Sequence, residues 1–245
     1  MRDIIGRCTD SISKLKLEKR ILSLNTLIIA EEGSGKTNLA CRIRNYVIDN
    51  DVPTLYLDFE DSAEEDIELR YKDEYFNYIR FEESEEFDKA FDELVSQKKH
   101  IYMSVNSSYF SSKKDIKSKF STTIQKQELL DNYYYFLHDI TELNAFYTKF
   151  EDFLLYMFGL LHFKKYGMTF LAQPHEIFES PQLKLLFSAL FVGKCSNANY
   201  YNTAHLKTFK KNEFIFQYRT AHKTLLFNNI ATNIVKIDEY VLEEE

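Results

Sequence analysis

Breakers are scarce in this chain: 245 residues contain 3 prolines and 6 glycines. Long glycine- or proline-rich linkers are therefore excluded, and regular elements with short connections are expected. Cysteine occurs 3 times, at Cys8, Cys41 and Cys195, with no CxxC spacing. An odd, scattered set excludes a disulfide framework and a thiolate zinc site, and suits a reducing compartment. His138, His162, His175 and His205 show no metal-ligand spacing. Tryptophan is absent, whereas Phe (21) and Tyr (17) are abundant. The longest apolar run, Phe153 to Phe163, holds about eleven residues, too few to cross a bilayer, so no membrane span is expected. No apolar signal core opens the chain. Positive charge is also in deficit: 31 Lys and Arg against 38 Asp and Glu give a net charge of −7, which argues against a surface coated by nucleic acid.

What the chain does have is concentrated in one segment. Leu27-Ile28-Ile29 is an apolar run that leads through Ala30-Glu31-Glu32-Gly33-Ser34-Gly35-Lys36-Thr37-Asn38 into a helical pattern reaching Asp49. A strand, a glycine-bearing loop and a helix in that order form a phosphate-binding loop. Backbone N–H groups and the positive helix end face an anion there. Lys36 is placed to reach the β- and γ-phosphates of ATP, and the Thr37 hydroxyl to ligate Mg²⁺. Residues Ala30, Glu31, Glu32, Gly33, Ser34, Gly35, Lys36, Thr37 and Asn38 are the candidate nucleotide-binding set. The first glycine of the usual pattern is replaced by Ala30.

Strand-like and helix-like segments alternate downstream. Thr54–Asp58, Phe76–Phe81, His100–Val105, Tyr133–Leu137 and Met168–Ala172 read as strands. Glu83 to Gln97 and Phe150–Tyr166 read as helices. This alternation predicts an α/β fold: a mostly parallel central sheet with helices on both faces. Glu213–Tyr218 and Lys223–Phe227 predict a C-terminal β-hairpin, and residues 1–23 a helical arm ahead of a single domain over 24–245. Tyr133 to Asp139 is an apolar strand ending in Asp, the Walker B arrangement, in which Asp139 holds a Mg²⁺ water or orients Thr37; an N-cap for the next helix is the alternative role. Position 140 is Ile where many related ATPases carry Glu, so the acid that polarises water is sought at Glu60 or Glu142. Gln173, after the next strand, is placed to sense the γ-phosphate.

The order of these pieces, with Phe191-Val192-Gly193-Lys194 and the terminal hairpin, resembles the FtsK–HerA superfamily of RecA-like ATPases over about Leu24 to Phe227. The segment Leu55-Tyr56-Leu57-Asp58-Phe59-Glu60-Asp61-Ser62 followed by Arg70 is also similar to the RecA–KaiC branch, in which Glu60 would be the catalytic acid. The first resemblance implies an Mg-ATP-driven motor acting as a ring, usually a hexamer. The short chain looks most like the genome-packaging ATPases of viruses with internal membranes. A capsid or portal-type partner and a place in the host cytoplasm or the virion would follow. A Zot-like or secretion ATPase acting on protein is the alternative, as is a nucleotide-binding regulatory protein with slow hydrolysis. A ring motor needs a basic lining and a trans-acting arginine. Lys113, Lys114, Lys117, Lys119 and Lys126, against the lone acid Asp115, are candidates for double-stranded DNA contact, with a solvated helix face as the plain alternative. Arg80, Arg70 and Arg219 are the arginine candidates, Arg80 foremost.

Overall fold

The computed structural model describes residues 4–9, 14–59, 76–82, 84–105, 128–141, 150–161, 165–196, 204–218 and 231–239. They fall into two compact units: residues 1–50 with 167–245, and residues 51–166.

The first unit is built on seven strands: β1 (Ile4–Cys8), β2 (Lys14–Lys16), β3 (Asn25–Ile29), β8 (Met168–Ala172), β9 (Ala189–Val192), β10 (Glu213–Tyr218) and β11 (Ala231–Ile237). Their order is β2-β1-β11-β10-β9-β3-β8. The strands β9, β3 and β8 run parallel, with Ile28 opposite both Phe191 and Leu171. The remaining pairs are antiparallel. Leu27, Ile28 and Ile29 are buried, as the unbroken apolar run requires of a strand covered on both faces. Helix α1 (Lys36–Ile48) starts at Gly35, whose φ of 97° only glycine adopts without strain. Its buried residues Leu39, Ala40, Ile43 and Val47 lie at helical spacing. A short helix α4 (Pro181–Leu186) precedes β9.

In that second unit four parallel strands, β4 (Thr54–Asp58), β5 (Phe76–Arg80), β6 (His100–Ser104) and β7 (Tyr134–His138), lie in the order β7-β4-β6-β5. Every residue of β4 and β7 is buried. Register places Tyr78, Tyr102, Tyr56 and Phe136 opposite one another in a row across all four strands. Their rings stack at centroid distances of 5.9, 4.9 and 5.4 Å. Aromatic content predicted from composition is thus spent on a cross-strand ladder. Helix α2 (Glu85–Ser96) is capped by Ser84, whose Oγ accepts from the Phe87 N–H, with Glu85, Glu86 and Asp88 in its first turn against the helix dipole. Phe87, Phe91 and Val95 form its buried stripe. Helix α3 (Phe150–Leu161) has 12 residues, and no helix among the described residues is long and apolar enough to cross a membrane.

Two expectations are corrected. Residues 1–23 carry strands β1 and β2 and a 3-10 turn at Lys19–Ser23 rather than a helical arm. The pairing of Gly6 with Ile237 draws the segment onto the sheet, where tertiary pairing outweighs its lysine-rich helical look. The partner of β10 is Ala231–Ile237, not Lys223–Phe227, which lies outside the described residues. The expected single domain over 24–245 takes in residues of both compact units.

Candidate nucleotide-binding site

The first unit assembles the phosphate loop from three directions. Strand β3 delivers Ala30, whose N–H donates to the Ala172 carbonyl at 3.2 Å, so the loop starts where β8 ends and Gln173 follows. The loop then turns at Gly33 (φ 70°) and Gly35 (φ 97°). The Leu39 N–H donates to the Gly35 carbonyl at 3.1 Å. The amides of Lys36, Thr37 and Asn38 therefore precede the hydrogen-bonded ladder of α1, which is the arrangement that binds an anion. Lys36 is 8% exposed, and its ammonium donates to the Ala30 carbonyl at 2.8 Å. That bond folds the lysine back to the start of its own loop. Ser34 Oγ is buried and, among the described residues, has no hydrogen-bond partner. A ring of backbone donors, one ammonium, an orphan hydroxyl and the half-buried Thr37 suit a triphosphate with its divalent cation.

Position 30 is explained by its neighbour. A Cβ on Gly193 would lie 2.8 Å from the Ala30 Cβ, so the methyl group fills space that Gly193 leaves. The segment after β9 fastens this side of the loop. Gly193 N–H donates to the Ile29 carbonyl at 2.8 Å and Glu31 N–H to the Lys194 carbonyl at 3.0 Å. The Glu31 carboxylate accepts from the Ser196 N–H and from the Ser196 hydroxyl, the latter at 3.0 Å. Desolvation pushes its pKa up, but the two Ser196 hydrogen bonds and the charges of Lys194 and Lys36 outweigh that and hold it below the usual Glu value. Glu31, included in the predicted binding set, spends its side chain on Ser196, and only its backbone belongs to the loop.

Asn212 and Asp238 secure the other side. The Asn212 N–H donates to the Ser34 carbonyl at 2.9 Å. Asn38 Nδ2 donates to Asn212 Oδ1 at 3.1 Å and to the Asp238 carbonyl at 3.0 Å. Asn38 thus anchors α1, a role its place in the predicted set did not reveal. Sequence reasoning passed over Asn212, Ser196 and Asp238; the available hint was an Asn directly before the β10 pattern, a residue type that tolerates φ > 0.

In the second unit Asp58 and Asp139 stand at the C-terminal ends of β4 and β7, where ligands of parallel sheets bind. Asp139 is 1% exposed, and its Oδ1 accepts from the Thr141 N–H at 3.2 Å. The carboxylate thus caps the turn that follows and is buried at the strand end. Ile140 is fully buried, so a glutamate at this position would face the core. Asp58 accepts from the Tyr102 hydroxyl. Burial and the Asp58 charge push the Tyr102 pKa far up, so the phenol stays protonated and donates. His138 Nδ1 lies 3.6 Å from Asp58 Oδ1. Its ring meets Tyr56 edge-on at 5.9 Å. His138 is a packed residue here. Arg80 is exposed at the end of β5, which has one strand neighbour, β6.

Glu60, Glu142, Arg70, Arg219 and the lysines Lys113, Lys114, Lys117, Lys119 and Lys126 lie outside the described residues. Of the predicted set, the first unit brings together residues 30–38 and Gln173; the second holds Asp139 and Arg80.

No protein-family model matches the chain, and no curated protein matches it in sequence. Solved structures do. VirB4 of Thermoanaerobacter pseudethanolicus superposes with a TM-score of 0.60 at 9% identity, covering 97% of this chain and 96% of that one. The genome packaging NTPase B204 from Sulfolobus turreted icosahedral virus 2, solved with sulfate, gives a TM-score of 0.53 at 12% identity, covering 91% and 98%. EssC (ATPases 2 and 3) from Geobacillus thermodenitrificans gives 0.52 at 10% identity, covering 97% of this chain and 41% of that one. The chain therefore has the RecA-like P-loop ATPase fold.

Proposed function

We propose that the protein is an Mg-ATP-hydrolysing motor of the FtsK–HerA type that translocates double-stranded DNA, with viral genome packaging as the specific task. One observation carries the reading. A phosphate loop with Lys36 at the first residue of α1 sits in a fold shared with a genome packaging NTPase over nearly the whole length of both chains. In this reading residues 30–38 bind ATP. Thr37 and, through water, Asp139 hold Mg²⁺, which would shield the phosphate charge. Gln173 senses the γ-phosphate, and Glu60 or Glu142 polarises water. A ring of copies, hexameric by preference, presents Arg80 to a neighbour and lines its channel with Lys113, Lys114, Lys117 and Lys119. Capsid or portal proteins are its partners, and the host cytoplasm or the virion its setting.

The likeness to VirB4 and EssC supports a second reading equally well: the same ATPase core acting on protein in secretion or conjugation. Phosphate release with Mg-ATP, with and without double-stranded DNA at low salt, separates the two. DNA stimulation that fades with added salt, as phosphate contacts require, supports the DNA motor. ATP turnover indifferent to DNA selects the protein-directed reading.

A further inference from the structure

Turn residues ahead of a strand are normally solvated, yet Asn212 is 3% exposed. It takes φ 66°, and its bonds join the phosphate loop and α1 to strand β11. Its N–H donates to the Ser34 carbonyl at 2.9 Å, and its own carbonyl accepts from the Ile237 N–H at 2.8 Å. Its Oδ1 accepts from Asn38 Nδ2 at 3.1 Å. A Cβ at Gly35 would fall 2.0 Å from that same Oδ1. The amide of Asn212 thus occupies the space beside the residue on which α1 begins. The segment that leaves β11 beside Asn212 is fastened to α1 as well: the Asp238 carbonyl accepts from Asn38 Nδ2 at 3.0 Å, and the Glu239 carbonyl accepts from Arg42.

The structure assigns to Asn212 the role of a positioning residue for nucleotide binding. It holds Gly35 in its left-handed conformation, presets the amides of residues 33–38, and ties them to the β10–β11 hairpin. A preset loop binds an anion without first ordering itself, so the loss of Asn212 shows in affinity more than in turnover. The inference rests on the reading of residues 30–38 as a nucleotide loop.

Asn212→Gly tests it, since glycine keeps the backbone conformation and both backbone hydrogen bonds while deleting the amide. Two readouts are taken on the full-length chain. Hydrogen exchange of amides 31–38 needs no nucleotide: the variant is expected to exchange about tenfold faster there, with β4 and β7 unchanged. ATP binding, measured with a fluorescent ATP analogue, is expected to weaken about tenfold, with turnover at saturating ATP within about threefold of wild type. Asn38→Ala cuts the same side-chain bond from the other end, leaves the Asn212 amide against Gly35, and is expected to speed exchange less. Exchange at 31–38 equal to wild type in Asn212→Gly overturns the inference. So does acceleration spread evenly over the whole chain, which marks general destabilisation. Wild type that fails to bind the analogue refutes the nucleotide reading, and the exchange result then decides the role of Asn212 in the loop by itself.

Discussion

Lys36 and the two glycines were legible as letters, but Ala30, Glu31 and Ile140 take their meaning from neighbours far along the chain. Ala30 fits because Gly193 leaves room for its methyl group. Glu31 is drawn to Ser196, 165 residues away, which no local pattern could announce. Its lowered pKa means the carboxylate stays charged through neutral pH, and the clasp is lost only as pH falls through that lowered value. A ¹³C-carboxyl NMR titration is expected to place Glu31 below the ordinary Glu midpoint and to move it upward in Ser196→Ala. A midpoint unmoved by that substitution would refute the clasp. Ile140 is fully buried, so Ile140→Glu is expected to cost about 3–5 kcal/mol in chemical denaturation without raising ATP turnover. Faster turnover from that variant would show that the position faces the nucleotide after all.

Among the elements, the parallel strands were the most legible because burial on both faces makes them continuous apolar runs, as in Tyr134–His138. The N-terminal strands were hidden. Their pairing partners are β11 and each other, and Lys14–Lys16 is only 3 residues long. The second hairpin strand was misplaced for a similar reason, since Ala231–Ile237 is set by its register with β10 rather than by a turn signal. The aromatic row Tyr78–Tyr102–Tyr56–Phe136 depends on register across four strands and could not be read from any one of them. At its centre Tyr102 donates to the buried Asp58. Tyr102→Phe deletes that donor and leaves Asp58 short of a hydrogen bond in a buried place. It is expected to destabilise the protein by about 1–3 kcal/mol, measured by urea unfolding. An unchanged midpoint would mean that Asp58 finds another donor.

For the whole molecule, the motif order in the sequence already implied a RecA-like core, and the length of chain shared with VirB4 and B204 agrees with it. What binds beyond the nucleotide was not legible at this scale. The lysine-rich segment 113–126 is a local reversal of charge in an acidic chain, and charge alone distinguishes a DNA contact from a solvated face poorly. Substituting Lys113, Lys114, Lys117 and Lys119 together by Gln is expected to abolish DNA stimulation of ATP turnover while leaving the DNA-free rate within about twofold of wild type. Undiminished stimulation would remove these lysines from the DNA path.

The motor reading depends on residues 30–38 binding ATP for hydrolysis. The most direct measurement is steady-state phosphate release from Mg-ATP by wild type and Lys36→Ala, matched for folding by circular dichroism. The expected result is steady turnover in wild type and a loss on the order of 100-fold in the variant, because in the proposed mechanism the ammonium at the start of α1 meets the developing phosphate charge. Equal rates in the two proteins, or no release from either, would contradict it.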